Sequence, residues 1–464
     1  MIGPTTGRFL HSVLVAAFLV AAPFAAVPLS AANNGVEAFT LRNGMEVVVI
    51  PDHRAPIVTH MVWYRVGSAD EPVGRSGIAH FLEHLMFKRT RTLEDGEFSR
   101  IVAQNGGRHN AFASYDFTGY YQNVARDRLE LMMKLEADRM VNLRLRKEDI
   151  ASERDVIIEE RRMRVDNNPA AMLNEQMMAT LFHRHPYGTP VIGWLPEMQG
   201  LDLDFALEFY RDHYTPSNAV LIVAGDVTVD EVRILAKRHY GRIRSREVTP
   251  RSRPAEPPAV APRQVELSDP RVRQPGWNRL YLAPGYHRAE PGEAEALAVL
   301  GEILGGSPTS RLYRRLVVES EVATDAGAWY QGTAYDLGRV GVYASPLPEE
   351  DPERAREALM VIEREVEAIV ADIVENGISD AELDRTRRKL VADSVYARDS
   401  IASMAQMYGR ALTTGSTVED VNEWPDRIME VTAEDVHAAA RKVFDVRGSV
   451  TGLLLPEPEA ESGQ

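Results

Sequence analysis

Alternating and apolar runs first become regular after residue 35. EAFTL at 37–41 and MEVVVIP at 45–51 are separated by Asn43-Gly44, a pattern that predicts a β-hairpin. IVTHMVWYRVG at 57–67 predicts a further strand. A second opening of the same kind comes much later, with RQVEL at 263–267 and RLYLAP at 279–284. Each opening has a matching close. LDLDFALEFYRDHYTPSNAVLIVAGD at 201–226 reads as helix, aromatic residue, strand, and VTAEDVHAAARKVFDVRGSVTGLLLP at 431–456 repeats that order, with Tyr214 in register with Phe444. Long amphipathic helical stretches, such as ERAREALMVIEREVEAIVADIVENG at 353–377, lie between. The repeated order predicts a duplicated α+β unit: two homologous halves, each an antiparallel-rich sheet with helices packed on one face.

Proline sets the boundary between the halves. Seven prolines fall between Thr249 and Pro275, and such a stretch continues neither a helix nor a central strand. The expected organisation is an N-terminal half at 36–246, a Pro-rich linker at 247–263, a C-terminal half at 264–456 and a short tail at 457–464. Ahead of all this, Arg8 precedes an apolar run from Phe9 to Val27, and Ser30-Ala31-Ala32 supplies small residues at an exit. Residues 1–32 therefore read as a cleaved secretory signal, leaving no stable membrane span, with the periplasm as destination if the source is a Gram-negative bacterium.

Composition narrows the chemistry. The 464 residues are 44% hydrophobic and 26% charged, an ordinary globular balance, and the net charge of −15 argues against nucleic acid as a partner. There is no cysteine, which excludes disulfides, thiolate metal sites and cysteine nucleophiles.

GRSGIAHFLEHLMFKRT at 74–90 carries the strongest chemical signal. His80 and His84 stand at i and i+4, one turn apart on one helical face, and Glu83 points the same way. Two neutral imidazoles suit zinc, and a carboxylate beside them can take a proton from a water on the metal. This H-x-x-E-H order is a known zinc-peptidase motif. A further acidic ligand is sought in KEDIASERDVIIEERRM at 147–163, a helix candidate with an apolar seam of Ile150, Val156, Ile157 and Met163. Glu153 and Glu160 fall on that seam and Glu159 points away. A buried carboxylate needs a partner. A zinc ion would serve Glu160 and a ligand imidazole Glu153; the alternative is a pair of seam-edge glutamates reaching water.

With SGIAHFLEHLMFKRT followed by ERDVIIEE, and Glu160 76 residues after His84, the chain resembles the pitrilysin/insulinase-type zinc peptidases, which include the mitochondrial processing peptidase. The resemblance spans nearly the whole chain after the signal. It implies one Zn2+ per chain held by His80, His84 and Glu160, with Glu83 as general base and Glu153 as the acid that orients a ligand histidine. GGRHNAFASYDFTGYY at 106–121 resembles the edge strand on which this family lays a peptide substrate, which implies contact through Asn110, Ala111, Phe112 and Ala113. HPYGTPVIGW at 185–194 resembles a structural landmark of the family without chemistry of its own.

Two departures qualify the resemblance. Arg89 stands where the family has glycine. Family members also use an Arg and a Tyr from the C-terminal half to hold substrate, whereas the aligned LVVESEVAT here places Val317 and Thr324 at those positions, with Arg314, Arg315 and Tyr330 out of register. The C-terminal half has no H-x-x-E-H either; its matching helix reads EAEALAVLGEILGG. The expectation is an exported zinc endopeptidase that is the metal-bearing subunit of a heterodimer, its partner supplying the Arg/Tyr pair, with a homodimer and a non-catalytic binding subunit as the alternatives.

Overall fold

The computed structural model describes residues 35–457, so the expected signal and the tail beyond Glu457 lie outside the described residues. The Asn43-Gly44 turn joins β1 (Glu37–Thr40) to β2 (Glu46–Pro51), the expected hairpin. β3 (Ile57–Tyr64), β4 (Arg108–Ala113), β5 (Thr118–Ala125) and β6 (Ala219–Gly225) complete a sheet in the order β1-β2-β6-β3-β5-β4. The later strands are β7 (Arg263–Asp269), β8 (Gly276–Pro284), β9 (Ala323–Gln331), β10 (Leu337–Pro346) and β11 (Ser449–Pro456), in the order β7-β11-β8-β10-β9. Each sheet has one parallel pair, β2 with β6 and β7 with β11, and is otherwise antiparallel. Dropping β1, the two orders superimpose strand for strand, so β4 and β9 are equivalent edge strands. The duplication inferred from the two openings and closings is thus a repeat of topology.

Strand alternation gives each sheet two apolar faces. On one face of the first sheet, Val47, Val49, Val62, Tyr64, Leu221 and Val223 meet helices of their own half. On the other, Val48, Ile50, Trp63, Val220 and Ile222 meet Met404, Ala405, Tyr408 and Leu412. Those four belong to the helix Ile401–Thr413, which comes from the C-terminal half of the chain. The second sheet is arranged likewise. Trp277, Tyr281, Val340, Val342 and Leu453 pack on helices of the C-terminal half, while Leu280, Leu282, Val450 and Leu454 take Leu173, Met177 and Leu181 of the helix Pro169–Leu181. Each half thus packs its own helices on one face, as expected, and receives one helix from the other half on the opposite face.

The Pro-rich stretch has no helix or strand from residue 241 to 262, but it is fastened at several points. Arg251 donates to the carbonyls of Arg65, Thr413 and Asp116 at 3.0, 2.8 and 2.6 Å. Glu256 accepts the backbone N–H groups of His183, Arg184 and His185. Among the described residues no helix is long and apolar enough to cross a membrane.

Candidate metal centre

Two helices build the centre. The motif helix Ile78–Leu85 buries Ile78, Phe81, Leu82 and Leu85 in the core of the first half. That burial fixes its rotation and leaves His80, Glu83 and His84 on the side facing the helix Lys147–Arg161. In the second helix Ile150 and Ile157 are buried, and Glu153 and Glu160 share their face at spacings of three and four residues. The seam inferred from sequence needs correction at its other two members: Val156 and Met163 are 49% and 64% exposed. Position 156 lies about 100° around the helix from 157, so an apolar side chain there cannot share the inward face. Glu159 points away, as expected, and pairs with Arg162.

His80 Nε2 and His84 Nε2 lie 3.4 and 3.3 Å from the same oxygen, Glu160 Oε2. The three donor atoms all fall within 4.8 Å of one another. These separations exceed ordinary hydrogen-bond lengths. They suit atoms that share an ion, because bonds of about 2.0–2.1 Å at tetrahedral angles separate neighbouring donors by about 3.3–3.4 Å. Two imidazoles and one carboxylate are also the composition of a zinc site that keeps a position open. The residues therefore fit a divalent ion of the zinc kind.

The surroundings set the charge of each group in the cluster. Contact with His80 and His84 holds the Glu160 carboxyl well below the usual carboxylate range. Burial alone would lower the pKa of His84, but its contacts with Glu153 and Glu160 outweigh this and raise it to about 9. His84 Nδ1 is 2.9 Å from Glu153 Oε1, and Lys88 Nζ is 2.8 Å from Glu153 Oε2. Glu153 thus engages the outer nitrogen of His84 and is itself held by a cation, the arrangement that would orient His84 were it a ligand. Its pKa is lowered because the bonds from His84 and Lys88 exceed the effect of burial. Nδ1 of His80 is buried with no hydrogen-bond partner among the described residues. Glu83 is raised by burial, only partly offset by His80 and His84. A carboxyl displaced upward beside a metal-binding cluster is suited to accept and return a proton near neutral pH.

Two further residues, Arg164 and Arg89, brace the centre; of these only Arg164 has a spacing, four residues after Glu160, that points to its partner. Arg164 lies 2.8 Å from Glu160 Oε1, the oxygen turned away from the imidazoles. Arg89, the departure from the family glycine, donates to Asp149 at 2.8 and 3.1 Å and so ties the end of the motif segment to the start of the second helix.

The four residues expected to contact substrate lie on β4, whose far edge is unpaired among the described residues. Ala111, opposite Tyr120, packs on the core that carries the motif helix. Phe112 lies on the other face, edge-on to Trp63 with ring centroids 4.7 Å apart. Asn110 shares the Phe112 face by alternation, opposite Tyr121, and is exposed. Its side chain therefore leaves the sheet on the side away from His80, His84 and Glu160. Phe112 and Ala113 line a cavity of about 870 Å3 between the ends of β4 and β9, to which none of His80, Glu83, His84, Glu153 and Glu160 contributes.

The C-terminal half has no comparable centre among the described residues. The helix Glu293–Gly305 is buried beside β9, and Glu295 is occupied by Arg427. Arg314 and Arg315 pair with Glu319 and Glu365, and the Tyr330 hydroxyl donates to the Pro284 carbonyl at 2.6 Å.

Residues 46–194 match the family described as insulinase (peptidase family M16), and residues 200–390 match the M16 inactive domain. The chain belongs to the insulinase family of peptidases. The M16 chain is 30% identical over 423 residues to the zinc protease PqqE of Helicobacter pylori, covering 90% of this chain and 93% of that one. The crystal structure of a protease from Helicobacter pylori matches this M16 fold with a TM-score of 0.82 at 28% identity, covering 91% of this chain and 99% of that chain. The first half of the periplasmic protease PqqL from Escherichia coli shares the fold at a TM-score of 0.74 and 20% identity, over 91% and 92% of the two chains. The residues matched to the domain described as inactive, 200–390, contain no H-x-x-E-H.

Proposed function

We propose that this chain is an exported zinc metalloendopeptidase that hydrolyses peptides or unfolded segments at the His80–His84–Glu160 centre, with one zinc per chain. The observation that carries the reading is the convergence of both imidazole Nε2 atoms on one oxygen of Glu160, contributed by a separate helix, with Glu83 on the same face. The names of the relatives, zinc protease and peptidase, support the same activity.

A zinc ion, when bound, supplies a Lewis acid for the scissile carbonyl and makes water more acidic. His80, His84 and Glu160 hold it. Glu153 and Lys88 keep the His84 ring in the orientation that presents Nε2. Glu83 takes the proton of the attacking water on its carboxylate and passes it to the leaving amine. The unpaired edge of β4 offers a peptide the backbone hydrogen bonds of an added strand, which are indifferent to side-chain sequence.

Export to the periplasm rests on the apolar N-terminal segment and agrees with the location in the name of PqqL. A homologous partner subunit, or a second copy of this chain, completes the site in this reading. Val317 and Thr324 replace the family's Arg/Tyr pair, and the nearby Arg314, Arg315 and Tyr330 are already engaged within the chain. Cleavage by the chain alone at the rate of the chain with its partner would contradict that part.

Metal analysis of the purified chain tests the function. One tightly held zinc, with cleavage lost on chelation and restored by zinc, is the expected result; a chain that holds none and cleaves nothing is a binding subunit. Replacing Glu153 by Ala is expected to lower zinc affinity about 10–100-fold, since His84 loses its orienting acceptor. Competition with a chelator measures this directly.

A further inference from the structure

The motif helix and the helix Lys147–Arg161 carry the ligands, yet a third segment fixes how they stand to each other. The motif helix begins at Gly77, with φ of 88°, and has no side-chain cap of its own. Its first amides are taken by two outside carboxylates. Glu71 accepts from Gly77 N and Ala79 N at 3.0 and 2.8 Å, and Glu197 accepts from Ser76 N at 2.7 Å. Gly193, with φ of 92°, packs backbone to backbone on the same point: a methyl group on it would lie 2.6 Å from Ser76 O and 2.7 Å from Gly77 Cα. Trp194 N donates to Ser76 Oγ at 2.9 Å. On the other side, Arg161, the residue after Glu160, donates to the Gly193 carbonyl at 2.9 Å and is held by Glu175 at 2.8 Å.

From this arrangement we infer that the turn Ile192–Trp194, with Glu71 and Glu197, is a spacer that sets the distance between His80 and Glu160. Gly77 is three residues before His80 and Arg161 is next to Glu160, so a shift at Gly193 moves both ligand-bearing segments. A Cβ at either glycine meets backbone atoms rather than a yielding side chain, and an L residue at these φ values is strained. These are positioning residues: none reaches the ligand atoms. The segment is the HPYGTPVIGW landmark, which thereby acquires a mechanical role. The inference rests on the zinc reading above.

Gly193→Ala is expected to lower zinc affinity about 10–100-fold, the range found when the support of a ligand is lost. In the metal-free chain, amide exchange at Gly77 and Ala79 is expected to accelerate. Glu197→Ala should act in the same direction and Glu197→Gln, which keeps an acceptor for Ser76 N, should restore wild-type affinity; this pair decides the matter if Gly193→Ala does not fold. Val223→Ala, a core truncation on β6, is the control: it should reduce stability and leave zinc affinity unchanged. The spacer is refuted if Gly193→Ala and Glu197→Ala bind zinc like the wild type, or if Val223→Ala weakens zinc equally for the same loss of stability. A wild-type chain that binds no zinc overturns the metal reading instead, and exchange at Gly77 and Ala79 then still decides whether the turn holds the helix.

Discussion

Glu83→Gln is expected to slow peptide hydrolysis by about 10²–10⁴-fold, the usual contribution of a positioned acid–base group, while zinc remains bound. The substitution is nearly isosteric and leaves His80, His84 and Glu160 untouched. It removes only the capacity to accept and return a proton. Burial displaces Glu83 upward, the direction that suits this role, since a carboxyl near its ordinary value is a poor donor to a leaving amine. Zinc content, measured beside single-turnover cleavage with any partner subunit present, separates loss of the base from loss of the metal. A variant that retains zinc and retains turnover would show that the proton goes elsewhere.

A second large effect is expected at the metal itself. Glu160→Ala should weaken zinc binding by more than the roughly 100-fold that outer-sphere partners cost, because it deletes a donor and leaves two imidazoles alone. The affinity of the wild-type chain should also depend on pH with a definite sign. His84 has its pKa raised to about 9, so below that pH the metal-free chain carries a proton that zinc must displace. Zinc affinity should therefore fall about tenfold for each unit by which pH drops below 9. Without Glu160, one of the contacts that raise His84 is gone, and the onset of that slope should move to lower pH. Chelator competition across a pH series reads both quantities.

What the sequence revealed, and what it concealed, follows from how local each feature is. The motif helix was legible because i and i+4 on one helix need no tertiary information. Glu153 and Glu160 were legible because they keep helical phase with Ile150 and Ile157. Val156 and Met163 misled, since an apolar residue near a seam looks like part of it; the second helix also holds its place through ion pairs, Arg89 with Asp149 and Arg161 with Glu175. The repeat was visible in the order of its elements. The exchange of helices Pro169–Leu181 and Ile401–Thr413 between the two sheets was not, because periodicity shows that a helix has an apolar face and not which sheet will meet it. Lys88, Glu71 and Gly193 were missed for a related reason: each acts through a partner brought close only by folding, whereas Arg164, four residues after Glu160, was readable from its spacing. Asn110 lies on an edge strand, as its surroundings in the sequence suggest, but alternation turns its side chain away from His80, His84 and Glu160.

A zinc-edge anomalous difference map from crystals of the full chain grown with zinc tests the His80–His84–Glu160 centre directly. One strong peak is expected within bonding distance of His80 Nε2, His84 Nε2 and Glu160 Oε2. A map with no peak there, or with its strongest peak on other side chains, would contradict the zinc reading.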